Sequence, residues 1–153
     1  MIRKAKMADA RTVQQLLLKY AGEGMMLSRS LADIYETIRD IYVYEVDGIV
    51  VGTAWLHICW EDLAEVRSLA VAEEAAGRGV GRILVDACLD EARRIGVSKV
   101  FCLTYQPDFF GKLGFSEIEK SELPQKIWSD CIKCVKFPEC DEIAMQLNLA
   151  MVE

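Results

Sequence analysis

Apolar positions along this chain recur with two periods, and each change of period marks an element boundary. After a β-prone opening at residues 2–6, Val13, Leu16, Leu17 and Tyr20 fall on one helical face, with Asp9 placed as N-cap and Gly22 and Gly24 as the stop. Ser30 with Asp33 three residues on has the form of a capping box, and Leu31, Ile34, Tyr35 and Ile38 supply the stripe of a second helix. The loop between them, residues 23–29, is thereby held at both ends. Two β-rich runs follow, 41–46 and 49–60, joined by Asp47-Gly48, a dipeptide that suits a tight hairpin because it tolerates positive φ. Past a turn at Glu61-Asp62, residues 64–71 read as a third strand of the meander. Beyond the glycines at 77, 79 and 81, Val80, Ile83, Leu84, Ala87, Cys88, Ala92 and Ile95 keep helical spacing until Gly96. Residues 97–104 then predict a buried strand, 107–113 a short helix, 114–118 a strand and 142–149 a final strand. The order predicts one α+β domain over residues 1–153: a mixed central sheet, built of an antiparallel meander plus a strand-loop-helix-strand unit, flanked by helices.

Composition narrows the function classes. A chain of 153 residues suffices for one sizeable core and is short for two. Its net charge of −6 argues against a nucleic-acid partner, which would require a basic face to displace counterions. Arg3, Lys4, Lys6, Asp9 and Arg11 interrupt any signal-like core at the N-terminus, and the longest apolar run, 49–59, is broken by Gly52, Thr53 and His57. A cytoplasmic protein with no membrane partner is expected.

Ser68, Leu69, Ala70 and Val71, followed by Gly77, Arg78, Gly79, Val80, Gly81 and Arg82, place a glycine-rich turn between a strand and a long helix. Such a turn suits an anion: helix N-terminal N–H groups point outward, the helix dipole adds positive charge, and missing Cβ atoms allow close approach. Alone, the pattern reads equally well as a structural turn. No Gly-Lys-Ser/Thr follows and the strand is fed by an antiparallel meander, which sets it apart from the common nucleotide loops.

The segment 65–71 followed by Arg78-Gly79-Val80-Gly81 resembles the strand and pyrophosphate loop of the GNAT acetyltransferase superfamily. Phe109-Phe110-Gly111-Lys112-Leu113-Gly114-Phe115 is similar to its later motif, which flanks the pantetheine. The resemblance covers nearly the whole chain and implies a GNAT-like fold with acetyl-CoA as co-substrate. It places Leu69, Ala70 and Val71, the 78–82 loop including Arg82, and Phe109 and Phe110 at the cofactor. Two positions depart from the family pattern: Ala76 stands where Gln or Arg is usual, and Phe110 stands where many members carry a proton-donating tyrosine. Residues 24–29, Leu103-Thr104-Tyr105, and 123–128 with the late cysteines resemble the short, stand-alone N-acetylglutamate synthase-like group. That implies acetylation of the α-amine of glutamate, a step of arginine biosynthesis.

Acetyl transfer from a thioester to an amine requires a base for the nitrogen, a site for the oxyanion and a proton for the leaving thiolate. Glu65 is the candidate base, Tyr105 the candidate acid, and a backbone N–H near Leu69 the implied oxyanion donor. Glu65 also reads as a solvated strand carboxylate and Tyr105 as a packing residue. Two substrate carboxylates call for guanidinium groups, which bind them bidentately. Arg29 and Arg67 are the candidates, Arg67 sharing a strand face with Glu65, with Lys126 a third; surface ion pairing is the alternative for each arginine. His57, the one histidine, reads as structural or exposed.

Cys131, Cys134 and Cys140 have the opening spacing of a zinc knuckle without an evident fourth ligand, which Asp130, Asp141 or one of the other cysteines would have to supply, and no metal site is assigned. A redox pair or plain thiols are the other readings, while Cys59, Cys88 and Cys102 sit in apolar runs as core. Acetylation of another amine, or a non-catalytic acyl-CoA-binding or metal-sensing module, are competing functions; a second copy of the chain stays open as a partner.

Overall fold

The computed structural model describes residues 1–22, 29–123 and 142–149; the side chains of residues 20–22 lie outside that description. Among the described residues seven strands form one mixed sheet in the order β1-β2-β3-β4-β5-β7-β6. They are β1 (Ile2–Lys4), β2 (Ile41–Val46), β3 (Ile49–Trp60), β4 (Leu63–Val71), β5 (Lys99–Thr104), β6 (Ser116–Glu117) and β7 (Ile143–Asn148). The helices are α1 (Ala10–Gly22), α2 (Leu31–Glu36), α3 (Val80–Ile95) and α4 (Pro107–Lys112). The α+β order is the predicted one. By packing the chain divides into two compact units, Met1–His57 with Val66–Glu91, and Ile58–Glu65 with the residues from Ala92 onward.

In the first unit β1 and β2 pair antiparallel, as do β2 and β3, with a bulge between Tyr44 and Glu45. Asp47 and Gly48 take φ of 52° and 79°, the double left-handed turn that matches the twist of a two-residue hairpin. The core gathers Val13 and Leu17 of α1, Ile34 of α2, Ile41 and Val43 of β2, Trp55 of β3 and Ala70 of β4. Trp55 satisfies its indole N–H on Thr37 Oγ1 at 3.0 Å, so a large ring is buried without an orphaned donor. Gly52 of β3 is required by packing: a Cβ there would sit 2.9 Å from both Leu84 Cδ1 and Val80 Cγ1 of α3.

Ser30 caps α2 as predicted, its Oγ accepting the Asp33 N–H at 3.1 Å. The other cap differs. Met7–Asp9 forms a 3-10 turn before α1, and Asp9 turns back to accept the Lys6 N–H at 2.7 Å and the Arg3 guanidinium at 2.7 and 3.0 Å. The hydrogen bonds from Arg3, more than its field, hold the Asp9 carboxyl below the usual carboxylate range, against the opposing effect of burial. A charge-assisted fork to Arg3 therefore outcompetes capping of α1. Tyr35, expected on the apolar stripe of α2, is exposed because that helix ends at Glu36 and its buried contact is Ile34.

Helix α3 ends as the sequence predicts: Gly96 takes φ +92°, and the N–H groups of Val97 and Gly96 return to the carbonyls of Ala92 and Arg93 at 2.9 and 3.2 Å. Its buried face is Val80, Leu84, Val85, Cys88, Leu89 and Ala92, whereas Ile83 and Ile95 are exposed. The stripe is rotated toward Val85 and Leu89 relative to the predicted one. In the second unit, β5 pairs antiparallel with β7 from Lys99↔Asn148 to Thr104↔Ile143, and Cys59, Leu63, Phe101, Leu123 and Ala144 make the core. Cys59, Cys88 and Cys102 are buried; burial pushes Cys88 up to about 12 and raises Cys102 too, so these two thiols stay protonated and unreactive. Among the described residues no helix is long and apolar enough to cross a membrane.

Candidate active site

The first unit carries the glycine turn. Strand β4 ends at Val71, a 3-10 turn covers Glu73–Ala75, and α3 opens at Val80 after Gly77, Arg78 and Gly79. Gly77 and Gly79 both take φ +79°, in the left-handed region that glycine enters without Cβ strain, and open space surrounds the position of either Cβ. Arg78 and Gly79 are exposed, and Ile83 N–H closes the first turn of α3 on the Gly79 carbonyl at 3.1 Å. A sixteen-residue helix thus presents its N-terminal N–H groups beside a glycine turn that leaves room for a bulky anion. Arg82 is exposed 3.9 Å from Asp86 one turn on, a solvated pair that leaves its charge close to the turn. Ala70 is buried, while Leu69 and Val71 are half-buried.

Within β4, Ser68 takes φ +56°, a left-handed conformation that a non-glycine residue rarely adopts inside a strand. It falls between Arg67 and Leu69 and breaks the pleat there. Serine gives no sequence signal for that geometry. Arg67 is half-buried and lies in the electrostatic field of Asp40, whose carboxyl is raised by burial against the opposing fields of Lys4 and Arg67. The carboxylate that feels the field of Arg67 was invisible in the sequence, because Asp40 ends a 3-10 turn twenty-seven positions away in no motif. Arg29, also half-buried, enters α2 just before its Ser30 cap, and its carbonyl accepts the Gln14 side chain of α1 at 3.4 Å. Residues 23–28 of the expected loop lie outside the described residues.

The second unit carries Glu65, Tyr105 and the phenylalanines. Glu65 is 8% exposed, the one charged side chain among the buried residues described. It faces Phe101 across the parallel ladder of β4 and β5, which runs from Leu63↔Lys99 to Glu65↔Phe101, and its field reaches Cys102. A carboxylate is rarely kept in such a place without a partner or a task. Thr104, buried, ends β5 and accepts the Gln106 N–H on Oγ1 at 2.8 Å, bridging Tyr105. Tyr105 is half-buried. Phe110 of α4 is 5% exposed and packs edge-on between Phe109 and Phe115, with ring centroids 5.1 and 5.2 Å away. Phe110 is therefore a core anchor of α4, whereas Phe109 is half-buried.

His57 is half-buried in β3, Trp55 is core, and Trp60 at the end of β3 is exposed. Lys126, Trp128 and the cysteines Cys131, Cys134 and Cys140 lie outside the described residues. Among the described residues no group of His, Cys, Asp and Glu side chains has the composition to hold a metal ion.

Comparison with known proteins agrees with this frame. The sequence profile of the Acetyltransferase (GNAT) family matches residues 14–115. An uncharacterized N-acetyltransferase of Chlorobaculum tepidum is 46% identical over 97% of this chain and 96% of its own. An amino-acid acetyltransferase of Mycobacterium tuberculosis is 35% identical over 84% of this chain and 75% of its own. Among solved structures, a Mycobacterium tuberculosis protein in complex with CoA superposes with a TM-score of 0.86 at 30% identity, over 98% of this chain and 99% of that one. The N-acetylglutamate synthase of Neisseria gonorrhoeae, solved with CoA and N-acetyl-glutamate, gives 0.89 at 27% identity; this chain spans 98% of itself and 35% of that enzyme. The chain belongs to the GNAT acetyltransferase family.

Proposed function

We propose that this protein transfers the acetyl group of acetyl-CoA to the α-amine of a small amino acid, with glutamate the acceptor its arginines fit best, as a cytoplasmic step of arginine biosynthesis. The observation that carries the reading is Glu65: a carboxylate kept buried on the strand that leads into the glycine turn of a GNAT chain. The turn suits the cofactor's pyrophosphate, since Gly77 and Gly79 leave open space where Cβ atoms would stand and α3 supplies N–H donors. Leu69, Ala70, Val71 and the 78–82 turn are the residues assigned to hold it, together with Phe109, and with Phe110 acting through its packing in α4. When bound, acetyl-CoA supplies an acyl group activated as a thioester.

The chain's own groups manage the protons. Glu65 accepts the proton that the α-amine loses as its C–N bond forms. Tyr105 holds its phenol proton for the thiol sulfur as the C–S bond breaks. A backbone N–H near Leu69, at the break in the pleat set by Ser68, is the donor assigned to the carbonyl oxygen as it gains charge. Arg29 and Arg67 are assigned to the two carboxylates of glutamate; Lys126 is a further candidate. Support for an amino-acid acceptor comes from the relatives named amino-acid acetyltransferase, among them the 35% identical Mycobacterium tuberculosis protein, and from the Neisseria gonorrhoeae synthase solved with N-acetyl-glutamate.

The arginines test the acceptor. Replacing Arg29 or Arg67 by Ala leaves a substrate carboxylate desolvated without its partner, a loss of about 2 to 5 kcal/mol in kcat/KM for glutamate. Acetyl-CoA binding, measured calorimetrically, is expected to stay at the parental level, and Arg→Lys to rescue little because an ammonium lacks the planar fork. Parental glutamate turnover in both Ala variants would remove the glutamate assignment and leave the acetyltransferase reading standing.

A further inference from the structure

Thr104 stands apart from the residues assigned above. It ends β5 in register with Ile143 of β7, it is 8% exposed, and it is one of three buried polar or charged side chains among the described residues. Its Oγ1 accepts the Gln106 N–H at 2.8 Å, so the chain on the two sides of Tyr105 is joined by one short bond. The next link is equally constrained. Gln106 stands at the N-cap of α4 with Pro107 at its first position, and the Gln106 carbonyl accepts the Phe110 N–H at 3.4 Å. Phe110 is in turn clamped edge-on by Phe109 and Phe115. Tyr105 and the N-cap Gln106 are thus the two residues between the last rung of β5 and a helix anchored by an aromatic cluster, and the Thr104 hydroxyl is bonded across the first of them to the second.

We propose that Thr104 is a positioning residue for the acid: its hydroxyl fixes the backbone corner from which Tyr105 presents its phenol to the departing thiolate. This rests on the reading of Tyr105 as that acid. The bland alternative is that Thr104 only tethers α4, in which case its loss weakens folding and acts independently of the phenol.

The test compares T104V, T104S, Y105F and the double variant T104V/Y105F by thiol release from acetyl-CoA at saturating glutamate, with thermal melting alongside. T104V keeps the shape and removes the acceptor; it is expected to lower kcat by about tenfold, since small displacements of a catalytic group are costly, while KM for acetyl-CoA holds. T104S, which retains the oxygen, is expected to restore kcat. The double variant should be no slower than Y105F, because a misplaced phenol and an absent one fail in the same step. Multiplying losses in the double variant, or parental kcat in T104V beside an impaired Y105F, would overturn the role of Thr104 alone. Parental kcat in Y105F would overturn the acid assignment and the positioning role together. Should T104V fail to fold, T104A replaces it in the same comparison.

Discussion

Ser68 and Gly79 occupy the same left-handed region of backbone space, at φ of +56° and +79°, but with different consequences. Glycine enters it freely, whereas an L-residue carries a cost of about 1 to 2 kcal/mol, so the surrounding strand must hold Ser68 there. The glycine was legible because the residue type announces the conformation; the serine was not. A test follows at Gly79. No atom lies within 4 Å of a Cβ built there, so Gly79→Val would act through backbone strain and by filling the space proposed for the pyrophosphate, not by crowding the protein. CoA affinity, measured by titration calorimetry, is expected to fall more than about tenfold, roughly 1.4 kcal/mol. Unchanged affinity would contradict the assignment of this turn to the pyrophosphate. A single-residue reading failed where a side chain had a better offer elsewhere, since Asp9 leaves the helix cap for Arg3; the packing of Phe110 against Phe109 and Phe115 was likewise hidden from the sequence.

At the scale of elements, periodicity and punctuation carried most of the information. The Asp47-Gly48 hairpin, the Ser30 cap and the Gly96 stop each have a local chemical cause, and each is found in place. Strand ends were less legible. Residues 97 and 98 look as β-prone as those that follow, but Val97 is drawn into the helix-closing bond to Ala92, and β5 starts at Lys99. The helix stripe of α3 was misplaced by part of a turn because Val85 and Leu89 compete with Ile83 and Ile95 for the core, and only packing decides. Gly52 is the sharpest case of packing hidden from sequence, being one glycine in an apolar run. With Leu84 Cδ1 and Val80 Cγ1 both 2.9 Å from its would-be Cβ, Gly52→Ala would push α3 off β3. Overpacking of that kind costs about 1 to 3 kcal/mol, to be read as a lowered urea midpoint with unchanged slope. A midpoint at or above the parental value would show that α3 has slack against the strand.

For the molecule as a whole, the α+β order and the family were legible from two motifs in the right sequence order, because a glycine turn at a helix start and a Phe-Phe-Gly helix carry local signatures. The surroundings of the assigned groups were not. That Glu65 is buried, that Asp40 shares the field of Arg67 and that Thr104 pins the corner at Tyr105 all depend on residues distant in sequence or on the path of the backbone. Substrate choice is the least local property, since on the proposed reading it depends on where two guanidiniums are held and not on which loop contains them. The most direct measurement is therefore thiol release from acetyl-CoA by the unmodified protein across the amino acids, a polyamine and a peptide with a free N-terminus. Glutamate is expected to give the highest kcat/KM, with the acetyl group of the product on the α-nitrogen. Preference for a cationic amine, or no thiol released with any acceptor, would contradict that expectation.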